Sequence, residues 1–195
     1  MNNISAEELH AAADACGVLS QVFLAGNVDE YLTTIGANPT GFTTLFPRCA
    51  QALTGADEEL VGGEILQAQM EYARLLCNGC AEALHPFESV YLGADHLLMQ
   101  EPRDQVVDLY AEYGFAASTE PHLPEDHISF ELAFLQLLAF RSADGDPQAQ
   151  ALMARFANEH PLRWLPAFCD DLKDAAETNF WLDCADMLRG VIRVL

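Results

Sequence analysis

Basic residues are scarce in this chain. Nine lysines and arginines stand against 30 acids over 195 residues, a formal net charge of -21. Nucleic-acid binding needs clustered Lys and Arg to displace counterions from phosphates, so no nucleic-acid partner is expected. Long apolar runs are missing too. The longest, Val18–Ala25 and Leu132–Phe140, have the length of core helices and fall short of the roughly 18–20 residues that span a bilayer. Stable membrane insertion is therefore not expected. The opening residues Met1 to Glu8 contain no basic run, so no export signal is read there and a cytoplasmic location is expected. Alternating, β-branched segments bounded by turns do not occur. There is no Gly-x-Ser-x-Gly elbow, phosphate loop or dinucleotide fingerprint, and Gly62-Gly63 lacks the Lys-Ser/Thr end of a phosphate loop. No catalytic residue and no cofactor is expected, and the chain does not read as an enzyme.

The six cysteines do not alter this. With no export signal, their even number does not imply disulfides. Cys77-Asn78-Gly79-Cys80 has thioredoxin-like spacing without a surrounding βαβ pattern. A zinc site would need two further ligands, and no second Cys-x-x-Cys exists; His85 with a remote cysteine is the open alternative, a metal or redox reading. Glu7/His10 and Glu82/His85 have the Glu-x-x-His spacing of di-iron bundles. The first lies in the opening turn of a helix and the second runs into Pro86, so neither suits a buried metal.

Helical signals are abundant. Just over half the residues are hydrophobic (51%), enough to build a core. Ser5-Ala6-Glu7-Glu8 reads as a capping box, followed by apolar residues at helical spacing from Leu9 to Phe23. Asn27 opens a second helix, stopped by Gly36 and Pro39. A third is expected over Phe42 to Leu53, disturbed by Pro47. Asp57 caps a long helix from Glu58 to about Cys77, with Gly62-Gly63 as a weak point. Residues 78–90 read as loop. A helix after Glu101-Pro102 ends at Gly114, Asp146-Pro147 is a cap with an N1 proline, another helix starts near Leu162, and the last runs from about Asp174 to Leu195. The expectation is an all-α, single-domain bundle of roughly nine to eleven helices over residues 1–195, with a hinge near 116–124.

The densest motif is Leu123-Pro124-Glu125-Asp126-His127-Ile128-Ser129-Phe130-Glu131. Pro124 suits the first turn of a helix, and Glu125 and Asp126 would then sit at the positive end of its dipole. On the residues alone, Asp126 reads as a cap with His127 packed beside it; the alternative is a carboxylate accepting an arginine's paired N–H groups. Three further blocks stand in order around it: His85-Pro86-Phe87-Glu88-Ser89-Val90-Tyr91-Leu92, Leu109 to Phe115, and His160-Pro161-Leu162-Arg163-Trp164-Leu165-Pro166. Tyr72-Ala73-Arg74-Leu75-Leu76 precedes them. Together these blocks resemble the TorD/DmsD family, cytoplasmic chaperones that mature molybdenum-containing redox enzymes.

The resemblance implies a partner and a site. The partner would be the catalytic subunit of a molybdoenzyme, held by its twin-arginine signal peptide until cofactor loading is complete. The site would include Pro124, Asp126 and His127, then Phe87, Glu88, Ser89 and Tyr91, with Tyr72 and Leu76 as outlying members. Family members often carry Trp where Phe87 stands; Phe keeps the apolar surface but loses an N–H donor. The family's domain-swapped dimers make a monomer or a swapped homodimer the expected states. A chaperone of the mature region of a nitrate-reductase-like subunit is the alternative within the same class. The net charge fits a basic peptide and equally fits simple solubility.

Overall fold

A computed structural model describes residues 4–77, 83–117 and 122–194. Among these residues there are ten α-helices, one 3₁₀ turn and no strand. The helices are α1 (Ala6–Ala25), α2 (Val28–Ala37), α3 (Pro47–Ala52), α4 (Glu58–Leu76), α5 (Glu88–Leu92), α6 (Glu101–Glu112), α7 (Ile128–Ala143), α8 (Pro147–Glu159), α9 (Pro161–Ala175) and α10 (Asn179–Val194), with the 3₁₀ turn at Pro39–Phe42. The all-α expectation is met.

Local chemistry sets most of the boundaries. Ser5 and Glu8 form the reciprocal capping box that starts α1. Asp57 accepts the Leu60 N–H to start α4, and Asp146 accepts from Gln148 and Ala149 to start α8. Gly114 adopts φ 72 just past α6, a left-handed position suited to glycine. Three boundaries differ from expectation. Pro47 begins α3 rather than disturbing a helix, because its missing N–H is harmless at the first position. Part of the expected 78–90 loop is the short helix α5. The last helix starts at Asn179, since α9 runs on to Ala175 despite Pro166 within it.

Helices α1 and α7 form the central antiparallel pair. Small residues on α1 permit the approach: Ser20 Oγ–H donates to the Ser129 carbonyl at 2.8 Å, Gly17 lies under Gln136, and His10 meets Phe140 at 5.9 Å. The falling α7 numbers against rising α1 numbers give the antiparallel sense. Helices α8, α9 and α10 pack around this pair and bury Phe156, Trp164, Phe168 and Trp181 completely. Fully burying a large apolar side chain contributes about 1.5–3 kcal/mol. Trp181 also donates its indole N–H to the Ala68 carbonyl at 2.9 Å, so its one polar atom is satisfied.

Candidate functional site: a two-segment clasp beside an open cavity

Two segments remote in sequence meet at the start of α5 and α7. Phe87 and His127 pair as an isolated antiparallel bridge. Glu88 N–H donates to the Asp126 carbonyl at 3.0 Å, and Ile128 N–H donates to the Pro86 carbonyl at 2.9 Å. Asp126 extends the join with its side chain, Oδ2 accepting the Ser89 N–H at 2.8 Å. Asp126 thus caps α5 rather than the helix that follows it. α7 is capped instead by His127, whose Nδ1 accepts the Ser129 N–H at 3.2 Å and lies 2.6 Å from Ser129 Oγ. Pro124, Glu125 and Asp126 form a turn before α7, not its first turn. The bridge to Phe87 explains this difference: it holds His127 extended, at φ -71 and ψ 139, so the helix cannot begin before Ile128.

The clasp lies over a buried cluster of acids. Glu88, Asp126 and Glu131 are fully buried. His160 Nδ1 sits 2.9 Å and 3.1 Å from the two Glu88 oxygens, and Trp164 Nε1–H donates to Glu131 Oε2 at 3.0 Å. Asp126 Oδ1 and Glu131 Oε1 accept from no N–H group among the described residues, and the Glu131 carboxyl hydrogen-bonds Glu88 when it carries a proton. Burial raises the Asp126 carboxyl above its ordinary value. It raises Glu88 likewise, against the opposing pull of His160. Glu131 goes well above the carboxylate range, from burial first and the neighbouring Glu88 charge second. Adjacent carboxyls in a poorly polarisable interior do not both ionise readily, so Glu131 keeps its proton to a higher pH than an ordinary glutamate. His127 moves the other way, burial taking its imidazole down to about 3. It is neutral, as a ring whose Nδ1 accepts the Ser129 N–H must be.

Beside the clasp a cavity of about 400 Å³ opens, lined by Ala83, Leu84, His85, Val90, Tyr91, His96 and Asp171. Tyr91 forms its wall. The ring leans on Trp164 at 5.4 Å and Phe168 at 5.9 Å, and its hydroxyl donates to Asp171 Oδ2 at 2.8 Å. Asp171 is exposed. His96 adopts φ 52, which a non-glycine residue seldom does, and its Nδ1 lies 2.8 Å from the Val90 carbonyl. An aromatic face, aliphatic walls and one open carboxylate together suit a cation on an apolar stem.

The structure brings together Phe87, Glu88, Ser89, Pro124, Asp126 and His127 in the clasp, and puts Tyr91 on the adjoining cavity. Phe87 is buried edge-on against His127 at 4.9 Å. Tyr72 and Leu76 lie on α4, outside both; Tyr72 stacks on Trp181 at 5.9 Å and covers Gly26. The expected open carboxylate at Asp126 is not open in this conformation: one oxygen is bonded to Ser89 and the other is buried. Sequence reasoning missed Asp171, His96 and Glu131. Glu131 had a signal, as the one acid in an apolar run from Ile128 to Phe140. Cys77 is exposed at the end of α4, while Cys80, Glu82 and the middle of the expected hinge, residues 118–121, lie outside the described residues. Among the described residues no group of three or more His, Cys, Asp or Glu is arranged to hold a metal ion, and no helix is long and apolar enough to cross a membrane.

Comparison with known proteins bears on this arrangement. The nitrate reductase delta subunit family matches residues 37–170, an interval that contains the whole clasp and every cavity residue except Asp171. A chaperone protein TorD of Photobacterium profundum is 32% identical over 167 residues, 82% of this chain and 76% of that protein. One of Vibrio atlanticus is 24% identical over 168 residues, 83% of this chain and 76% of that protein. One of Vibrio cholerae serotype O1 is 34% identical over 113 residues, about half of each chain (53% and 50%). No solved structure matches. With most of its length matched in these ways, the chain belongs to the TorD-like redox-enzyme maturation chaperones of the nitrate reductase delta subunit family, binding proteins rather than enzymes.

Proposed function

We propose that this protein is a cytoplasmic chaperone for the catalytic subunit of a molybdenum-cofactor oxidoreductase, which it holds by a twin-arginine signal peptide until the cofactor is loaded. The observation that carries the reading is the cavity beside the clasp, where Tyr91 and the exposed Asp171 offer an aromatic face and a carboxylate to one cation. A guanidinium suits such a pair, because it stacks on aromatic faces and takes a carboxylate with two parallel N–H bonds. Leu84 and Val90 supply apolar surface for the hydrophobic stretch that follows the arginines. Asp126, Glu88, Ser89, Phe87, Pro124 and His127 act from behind: they fix the start of α5, and so fix the wall that Tyr91 presents. The net charge of -21 speeds capture of a basic segment at low salt.

The test is a titration of the purified protein with a labelled twin-arginine peptide and its Lys-Lys variant, at low and moderate salt. Preference for Arg-Arg that persists at moderate salt is expected, as is a loss of about tenfold in affinity on Asp171→Asn, one charged hydrogen bond's worth. Equal binding of both peptides that vanishes with salt would defeat the reading, since bare charge would explain it. The description of the matched family favours a second reading, capture of the mature region of a nitrate-reductase-like subunit. No binding by any signal peptide, with binding by that subunit's mature region, would select it.

A further inference from the structure

α4 carries a face that this fold does not use. Leu66 and Met70, one turn apart, are 58% and 65% exposed, and Leu60 is 49% exposed. Gly62 and Gly63 lie beside them in the helix interior, and a Cβ built on either would meet no atom within 4 Å. Glycine is the least favourable helix residue after proline. Here neither a turn, a positive φ nor an internal close approach requires it. The helix therefore bears two costs together, exposed large apolar side chains and a glycine pair, that a closely docked apolar helix would offset.

Charge decides what approaches. Between Ile4 and Ala73 the sole Lys or Arg is Arg48, and it is already paired with Asp183 and Asp186. Exposed Glu58 and Glu59 rim the near end of the face, and Asp29 and Glu30 of α2 are exposed on the helix packed against α4. A second copy would bring the same acidic rim and a further charge of -21, so self-docking is opposed. We infer that this α4 face docks a helix of a partner protein that is apolar along one side and flanked by Lys or Arg, with its backbone crossing at Gly62-Gly63 and its apolar side chains against Leu66 and Met70. From Gly62 to Met70 the face is about 12 Å long at about 1.5 Å per residue, so two to three turns of the partner cover it, with Leu60 at its edge. No α4 residue lines the cavity beside the clasp, so this surface is separate from the signal-peptide reading and stands or falls without it.

The experiment uses the full chain with a photocrosslinking amino acid in place of Met70, or in place of exposed Gln150 on α8 as a control. The probe is a 21-residue Leu/Ala helix with Lys on its flanks, alongside a Glu-flanked version. The Lys peptide is expected to crosslink at position 70 and not at 150, and the Glu peptide at neither. Leu66→Glu should weaken binding at least about tenfold. The paired Gly62→Ala, Gly63→Ala variant is the sharper arm: it should raise the melting midpoint by a few degrees while lowering affinity several-fold. Asp171→Asn should leave the crosslink at 70 unchanged. Unchanged affinity in the stabilised double-alanine variant, or equal crosslinking at 70 and 150, would overturn the inference. So would a crosslink at 70 joining two copies of the chaperone and lost in Leu66→Glu, which would make the face a self-association surface.

Discussion

Two pairs of buried acids in this molecule have opposite surroundings. Asp183 and Glu71 are saturated with donors. Asp183 accepts the Arg48 and Cys49 N–H groups, each at 3.0 Å, and the Arg48 guanidinium at 2.9 Å. Glu71 accepts the Glu177 and Thr178 N–H groups and the Arg74 guanidinium. Each joins a helix start to a distant helix, Asp183 fastening α3 to α10 and Glu71 fastening the entry of α10 to α4. Asp126 and Glu131 are equally buried, yet each leaves one oxygen without an N–H donor among the described residues, Glu131 sharing a hydrogen bond with the Glu88 carboxyl instead, and burial raises both. The saturated pair holds the fold. The unsaturated pair lies under the clasp, behind the wall that Tyr91 presents.

The largest effect should come from the saturated pair. Asp183→Ala removes the acceptor for two backbone N–H groups and leaves Arg48 with Asp186 alone. A loss of about 3 kcal/mol or more is expected, from the cost of breaking a buried charged network. In a chain of this size that lowers the melting midpoint by roughly 6–12 °C, with peptide affinity unchanged once the protein is folded. Calorimetry with a titration at low temperature checks both halves. A small loss would mean that the donors find water without cost, and the contrast between the pairs would weaken.

The next effect is smaller in stability and larger in binding. Asp126→Ala frees the Ser89 N–H and the α5 start but leaves both backbone bonds of the clasp. About 1–2 kcal/mol of stability should be lost, as for an N-cap. Peptide affinity should fall more than that figure suggests, because α5 carries Tyr91. Chemical denaturation and titration of the same sample separate the two. If the stability loss equals that of Asp183→Ala with binding intact, Asp126 is another structural cap and the comparison collapses.

This division between pairs also marks what was legible in the sequence. Caps that act within one turn were readable: Ser5 with Glu8, Asp57, Asp146 with Pro147, and Gly114 all stand where local chemistry puts them. The same local rule applied to Asp126 fails. Its partner Ser89 lies 37 residues earlier, and no spacing signals a cap that works backwards across two segments. α5 leaves no sequence signal for the same reason, since five residues with an external cap carry no periodicity. Asp171 looks like any acid on the outer face of an amphipathic helix; only the fold sets it against Tyr91. The family's blocks, by contrast, identified Phe87 and His127 together although nothing local links them.

The smallest expected effect is the most discriminating. Glu131→Gln keeps the size of the side chain and the acceptor for Trp164 Nε1–H. If Glu131 is protonated in the fold, the change at pH 5 should cost less than about 1 kcal/mol, since a neutral group replaces a neutral group. The pH dependence carries the signal. In the unfolded chain a glutamate releases its proton near its ordinary value of 4.5, while the folded protein holds it to a higher pH. Across that window the folded state binds more protons, so stability falls as pH rises from 4.5 until the folded carboxyl ionises. The glutamine variant has no proton to lose there, so the stability of the natural protein relative to the variant should decline from pH 5 towards pH 8. His127 provides an internal control with the opposite sign. Its imidazole titrates near 6.5 when unfolded and at about 3 when folded, so its contribution is lost as pH falls below 6.5, and it is common to both proteins. Urea unfolding at several pH values therefore isolates Glu131 by difference. A flat difference would mean that Glu131 is ionised inside the fold, its charge met by a donor as in Asp183, and the two pairs of acids would then be alike.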